Sequence, residues 1–143
     1  MQPGFLLYAS RLDAPMGFRA LNALLDVSQK NNRRDDITGF LHIEDQIVLQ
    51  YLEGPAFQLG VTVDRIRHDP RHSGFTILSH GNAERRCFDG WNMALVECTT
   101  MAIADLMGRH CTRITELAAE NPADLISLLS ANASLLNDRY RVA

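Results

Sequence analysis

The 143-residue chain predicts one α+β domain, a five-strand sheet with helices on both faces. Three observations carry this. Short apolar runs and helix-spaced segments follow one another in the order β-α-β-β-α-β-β. The runs "FLLYA" (5–9) and "IVLQYL" (47–52) are apolar at both alternating sets of positions, so both faces of the sheet need cover. After Cys98 the strand signals stop, and two amphipathic segments follow that can supply the second cover.

Taken in order, "FLLYAS" (5–10) is the first strand, ended by Ser10 and Arg11. Helical spacing begins near Asp13, a candidate cap, with Pro15 in the first turn. Phe18, Leu21, Leu25 and Ser28 share a face. Lys30, Arg33 and Arg34 suit the negative end of the helix dipole, and Asn31-Asn32 is expected to end the helix. "ITGFLHIEDQIVLQYLEG" reads as a hairpin turning at Glu44, Asp45 and Gln46. A second helix runs through Leu59, Val63 and Ile66 until Pro70 stops it. "FTILSH" and "WNMALVEC" are two further strands. This order is the split βαβ pattern of ferredoxin-like sheets, with helices 1 and 2 on one face. In the tail, Ile103, Leu106, Met107, His110, Ile114 and Leu117 recur at helical spacing. A last helix starts at Asn121-Pro122, with Asp124 three residues after the cap, and buries Leu125, Leu128, Leu129 and Leu136. The tail pair is expected across the other face, which divides the chain into residues 1–98 and 99–143.

Bulk properties exclude several classes. A formal charge of −3 gives no electrostatic case for nucleic acid. No apolar run nears the ~20 residues of a membrane span, and no charged-then-apolar leader opens the chain, so a cytoplasmic protein without membrane contact is expected. Cys87, Cys98 and Cys111 are odd in number and widely spaced, unlike a disulfide framework or a zinc site.

Polar residues inside apolar strands are the informative ones. Gln50 stands among Ile47, Val48, Leu49, Tyr51 and Leu52, where an unpartnered buried amide costs ~1–3 kcal/mol. The period of two puts Leu6, Tyr8 and Ser10 on one face of strand 1, and Val48, Gln50 and Leu52 on one face of strand 3. If these faces coincide, phenol and amide can bond. The same period puts Trp91 and Met93 on one face of strand 5, with Asn92, Ala94 and Val96 on the other. Taken singly, a strand tyrosine is usually core and Asn-Asn a helix end. Their joint occurrence points to a ligand.

"LLYAS", "KNNRRDDITGFL", "VLQYLEG", "HDPRHSGFTIL" and "RCFDGWNMAL" resemble, in order and at similar intervals over about residues 4–98, the BLUF family of blue-light sensors. The resemblance implies a flavin held non-covalently between the sheet and its two helices, FAD or, as the other candidate, FMN. It implies that Tyr8 is the photo-oxidised donor and that Gln50 lies between the phenol and flavin N5/O4. Asn32 would bond the ring with Asn31 beside it, Ser28 and Ile66 would line the site, and Trp91 and Met93 would lie near Gln50. Arg65, Asp69, Arg71 and His72 would meet the ribityl and phosphate; their other reading is a solvated basic edge. Side-chain amides suit a ring edge that both accepts and donates hydrogen bonds. The implied protein is a stand-alone photoreceptor, not an enzyme, with residues 99–143 as its output segment and a separate effector protein or a homo-oligomer as the recipient. Two alternatives share the scaffold: an acylphosphatase-like hydrolase, and an interaction module without chromophore.

Overall fold

A computed structural model describes residues 2–44, 46–95 and 114–131. The strands are β1 (Gly4–Leu12), β2 (Thr38–Glu44), β3 (Ile47–Gly54), β4 (His72–Asn82) and β5 (Asn92–Leu95). The helices are α1 (Phe18–Asp35), α2 (Ala56–Arg67), α3 (Ile114–Glu120) and α4 (Pro122–Ala131). The sheet order is β4-β1-β3-β2-β5; β1 is antiparallel to β3 and β4, β2 antiparallel to β3, and β5 parallel to β2. This is the expected ferredoxin-like arrangement with a fifth strand added at the β2 edge.

Each face of the sheet has its own core. On one, Leu6, Tyr8, Leu41, Val48 and Leu52 pack with Leu25 of α1 and Leu59 of α2. On the other, Leu7, Phe40, Leu49 and Tyr51 pack with Phe88, Trp91, Ala118 of α3 and Leu125 and Leu129 of α4. The tail pair therefore covers the second face, as its apolar spacing requires. Asn121 caps α4 reciprocally: its Oδ1 accepts from the Asp124 N–H at 3.3 Å and its Nδ2 donates to Asp124 Oδ2 at 2.7 Å. The expected helical stretch 101–113, Leu136, Val96, Cys98 and Cys111 lie outside the described residues.

Local details depart from the sequence reading. The first helix begins at Phe18 with Gly17 at its cap. Asp13 instead accepts from Ser73 Oγ at 3.0 Å, because β1 runs on to Leu12 and carries Asp13 towards β4. Phe18 is 79% exposed and does not join the inward face. Asn31 and Asn32 do not end α1, which continues to Asp35 before Asp36 takes the left-handed conformation (φ 59°); both asparagines are thus held by regular helix. Gly39 allows β2 and β3 to close up, since a Cβ there would lie 1.8 Å from the Tyr51 carbonyl oxygen.

The largest departure is in β5. Trp91 precedes the strand and sits in the tail-side core, whereas Met93 sits on the α1/α2 side. The two do not share a face. The β2–β5 pairing slips between Gly39↔Asn92 and Phe40↔Ala94, and Met93 has φ 108°. One bulged residue cancels the alternation that the period of two assumes. A non-glycine residue at such a φ costs of order 1–3 kcal/mol and persists only where its surroundings hold it.

Candidate functional site

The Tyr8–Gln50 pair forms because β1 and β3 are neighbours in register: Tyr8 lies directly opposite Gln50. The Tyr8 hydroxyl donates to Gln50 Oε1 at 2.5 Å, and Gln50 Nε2 donates to Met93 Sδ at 3.2 Å. The phenol stacks on Phe75 of β4 at 4.5 Å between centroids. Burial, with a smaller contribution from the Asp69 carboxylate, pushes the Tyr8 hydroxyl well above its usual range. The phenol therefore keeps its proton at neutral pH, on a bond aimed at an amide oxygen.

Beside this pair lies a cavity of about 210 Å³ between the sheet, α1 and α2. Tyr8 and Gln50 form its floor. Ser28, Asn31 and Asn32 reach it from α1, Arg65 and Ile66 from α2, and Asp69, Arg71 and His72 from the turn into β4. These are ten of the residues expected from sequence, brought together around one space. Met93 does not line it but stands one contact behind Gln50, and Trp91 lies on the opposite side of the sheet, away from Gln50.

The turn into β4 is charged but internally satisfied. Arg71 binds Asp69 through Nε at 3.0 Å and Nη2 at 2.5 Å. That hydrogen bonding draws the Asp69 carboxyl down to about 2 and raises the Arg71 guanidinium. His72 Nε2 is 2.6 Å from the Ile66 carbonyl oxygen, which can only accept, so Nε2 carries a proton; Nδ1 pairs with Ser10 Oγ at 2.6 Å.

Two buried polar atoms on the cavity wall, Asn32 Nδ2 and Thr62 Oγ1, have no hydrogen-bond partner among the described residues. Each unsatisfied group costs ~1–3 kcal/mol, so a ligand offering polar partners at these points is strongly favoured. The ring edge of a flavin has carbonyl acceptors and an N–H donor, and the aliphatic walls Leu24, Val27, Leu41 and Val48 suit its apolar faces. The residues present fit the group. The sequence reading missed Thr62, although it falls three residues after Leu59 and four before Ile66, on the inward face of α2.

Comparison with known proteins agrees with this geometry. The family model described as "BLUF: Sensors of blue-light using FAD" matches residues 5–94, more than half of the chain. Photoactivated adenylate cyclase subunit beta of Euglena gracilis is 26% identical over 131 residues; the alignment covers 88% of this chain, which spans about 15% of the length of that relative. The dark-state structure of BlrB, a BLUF protein, superposes with a TM-score of 0.77 at 25% identity, covering 91% of this chain and 96% of that one. A bacterial light-regulated adenylyl cyclase superposes with a TM-score of 0.69 at 24% identity, covering 90% of this chain and 39% of that one; that likeness is one of fold.

Proposed function

The chain belongs to the BLUF family of flavin-binding blue-light sensors, and from that premise we propose that its switch is the hydrogen-bonded series Tyr8–Gln50–Met93 and that its output leaves through β5 to the tail helices. The observation carrying this reading is the direct bond from a buried, protonated phenol to a neutral amide on the floor of a cavity with unsatisfied polar walls.

Asn32 and Thr62 would hold the ring edge, with Ser28, Asn31 and Ile66 beside it, and Arg65, Asp69, Arg71 and His72 would meet the ribityl and phosphate of FAD. The bound flavin supplies the visible absorption and, when excited, the capacity to take an electron. Tyr8 is the one tyrosine or tryptophan among the described residues that line the cavity. Loss of an electron makes a phenol strongly acidic, so its proton passes to Gln50 Oε1, the atom that already accepts it. Return of the electron, and of a proton to the Tyr8 oxygen, would restore the phenol and leave the amide rotated or tautomerised, with its N–H groups facing new partners. The bond from Gln50 Nε2 to Met93 Sδ is then the one at risk. No substrate is turned over in this scheme.

Met93 opens the route outward. Trp91, two residues earlier, packs on Phe88 at 5.4 Å within the core that includes α3 and α4. Ser130 Oγ of α4 donates to the Cys87 carbonyl at 3.1 Å. A change in β5 thus reaches residues 114–131, and from there a separate effector protein or a second copy of the chain. Relatives that are photoactivated cyclases fit the effector version of this output. The hydrolase and chromophore-free readings leave Asn32 Nδ2 and Thr62 Oγ1 without partners.

The test is an absorption spectrum before and after blue light. Purified protein is expected to be yellow, to shift slightly to the red, and to revert in the dark; Gln50→Leu is expected to keep the flavin and lose the shift. Protein that takes up no added flavin defeats the reading, and a normal shift in Gln50→Leu defeats the switch.

A further inference from the structure

Met93 is held at two ends by two different glutamines. Its sulfur accepts from Gln50 Nε2 at 3.2 Å, and its carbonyl accepts from Gln29 Nε2 of α1 at 3.1 Å. Gln29 is buried, 5% exposed, one turn after Leu25 on the inward face of α1, and it does not line the cavity. The bulge explains why its amide is needed. At Met93 the pairing with β2 slips, so this carbonyl leaves the regular ladder inside a covered sheet, where an acceptor without a donor is unfavourable. The same residue sits at φ 108°, a conformation that only its surroundings maintain. The flanking ties of the segment are the Gly39 N–H to the Trp91 carbonyl at 2.7 Å and Asn92 Nδ2 to the Ile37 carbonyl at 3.3 Å. Both lie before the bulge. At Met93 itself, the side-chain ties among the described residues are the two glutamines.

We propose that Gln29 is the positioning residue for the light output: it latches the backbone of Met93 in its bulged conformation from α1, so that a change in the Gln50 bond is passed to β5 instead of being absorbed by a slack strand. With both ties made, the bulge is fixed and Trp91 is fixed with it. When the Gln50 amide turns away, the sulfur is released, and the Gln29 bond is the remaining side-chain tie on Met93 that opposes relaxation of a strained φ. The bulge is then a two-position element biased by one amide that switches and one that does not. The role of the Gln50 bond rests on the proposed photocycle; the latch itself is a property of the dark protein.

The test uses full-length, flavin-loaded Gln29→Met and Gln29→Asn proteins. The first keeps side-chain length without a donor, and the second keeps the amide but falls short of the carbonyl. Amide hydrogen exchange at residues 93–95 is measured in the dark and under blue light. Both variants are expected to keep the red shift while dark exchange at 93–95 rises about 2- to 10-fold, the range for losing one neutral hydrogen bond. The further increase on illumination is expected to shrink, and α1 and α2 to exchange as before. Dark exchange at 93–95 equal to the unsubstituted protein overturns the latch, and so does exchange raised uniformly over the whole sheet, which marks loss of general stability. The dark arm decides even if the unsubstituted protein shows no red shift, a result that would defeat the photocycle and leave the latch standing. Should neither variant fold, unsubstituted protein carrying carbonyl ¹³C at Met93 alone replaces them: a labelled carbonyl band in the light-minus-dark infrared spectrum supports the latch, and its absence from a protein with an intact red shift overturns it.

Discussion

On one face of the sheet the Tyr8 hydroxyl donates to Gln50; on the other, the Tyr51 hydroxyl donates to Glu53 at 3.2 Å. Both phenols are buried, and burial raises both well above the usual tyrosine range, with Glu53 adding to the effect on Tyr51. The acceptors set the two faces apart. Glu53 is fully buried and also accepts from Thr38 Oγ1 at 2.9 Å, the Cys87 N–H at 2.8 Å and the Phe88 N–H at 2.7 Å. Fixed donors saturate both of its oxygens, so it has one arrangement, and it clamps the loop before β5 to the sheet. Gln50 has one donor, one weak sulfur acceptor and a cavity beside it. An amide can exchange its oxygen and nitrogen ends by turning; a saturated carboxylate gains nothing by turning. A buried tyrosine thus donates to a fixed clamp on one face and, on the other, to an amide that can turn, as the proposed switch requires.

This contrast can be broken from the clamp side first, where the largest energetic effect is expected. Glu53→Ala leaves the buried donors of Phe88, Thr38 and Tyr51 without this acceptor, at ~1–3 kcal/mol each, so a loss of about 3 kcal/mol or more is expected in urea unfolding. A midpoint close to that of the unsubstituted protein removes the clamp. On the cavity side the effects are smaller. Asn32→Ala is expected to weaken flavin binding by ~0.5–1.5 kcal/mol and Asn31→Ala by less, because Asn32 is the asparagine whose buried amide nitrogen needs a partner. Equal affinities in flavin titration reverse that assignment. The smallest effect concerns pH. The Asp69 carboxyl lies below its ordinary 3.8, at about 2, so its contribution is present above pH 3.8 and lost as the pH falls towards 2. Arg71 is more than half exposed, and solvent screening keeps this contribution below about 1 kcal/mol. Acid unfolding of Asp69→Asn, followed beside the unsubstituted protein, is expected to lack that component.

Most of the fold was legible because period and chain order determine it: the strands, the hairpin, the capped last helix and the two-sided cover all follow from residue spacing. Tyr8 and Gln50 were legible as a pair for the same reason, each being a polar group on a definite face of an apolar strand. Trp91 was misplaced because the period of two presumes an unbroken ladder, and no sequence signal marks a bulge at a methionine. Asn31 and Asn32 were misread as a helix end because the stop is set by Asp36 in the left-handed conformation, four residues on. Gln29 and Thr62 went unseen for another reason. Each is a polar residue on the otherwise apolar inward face of its helix, and tertiary packing decides that such a residue is buried beside a partner or a cavity and not turned outward.

The light-minus-dark absorption spectra of Tyr8→Phe and Tyr51→Phe, compared side by side, test the distinction between the faces most directly. Each substitution removes one buried hydroxyl and nearly preserves packing. Tyr8→Phe is expected to bind flavin and show no red shift, and Tyr51→Phe to shift and recover like the unsubstituted protein. A shift that survives in Tyr8→Phe, or one abolished equally in both, would mean that the amide beside the cavity is not the switch.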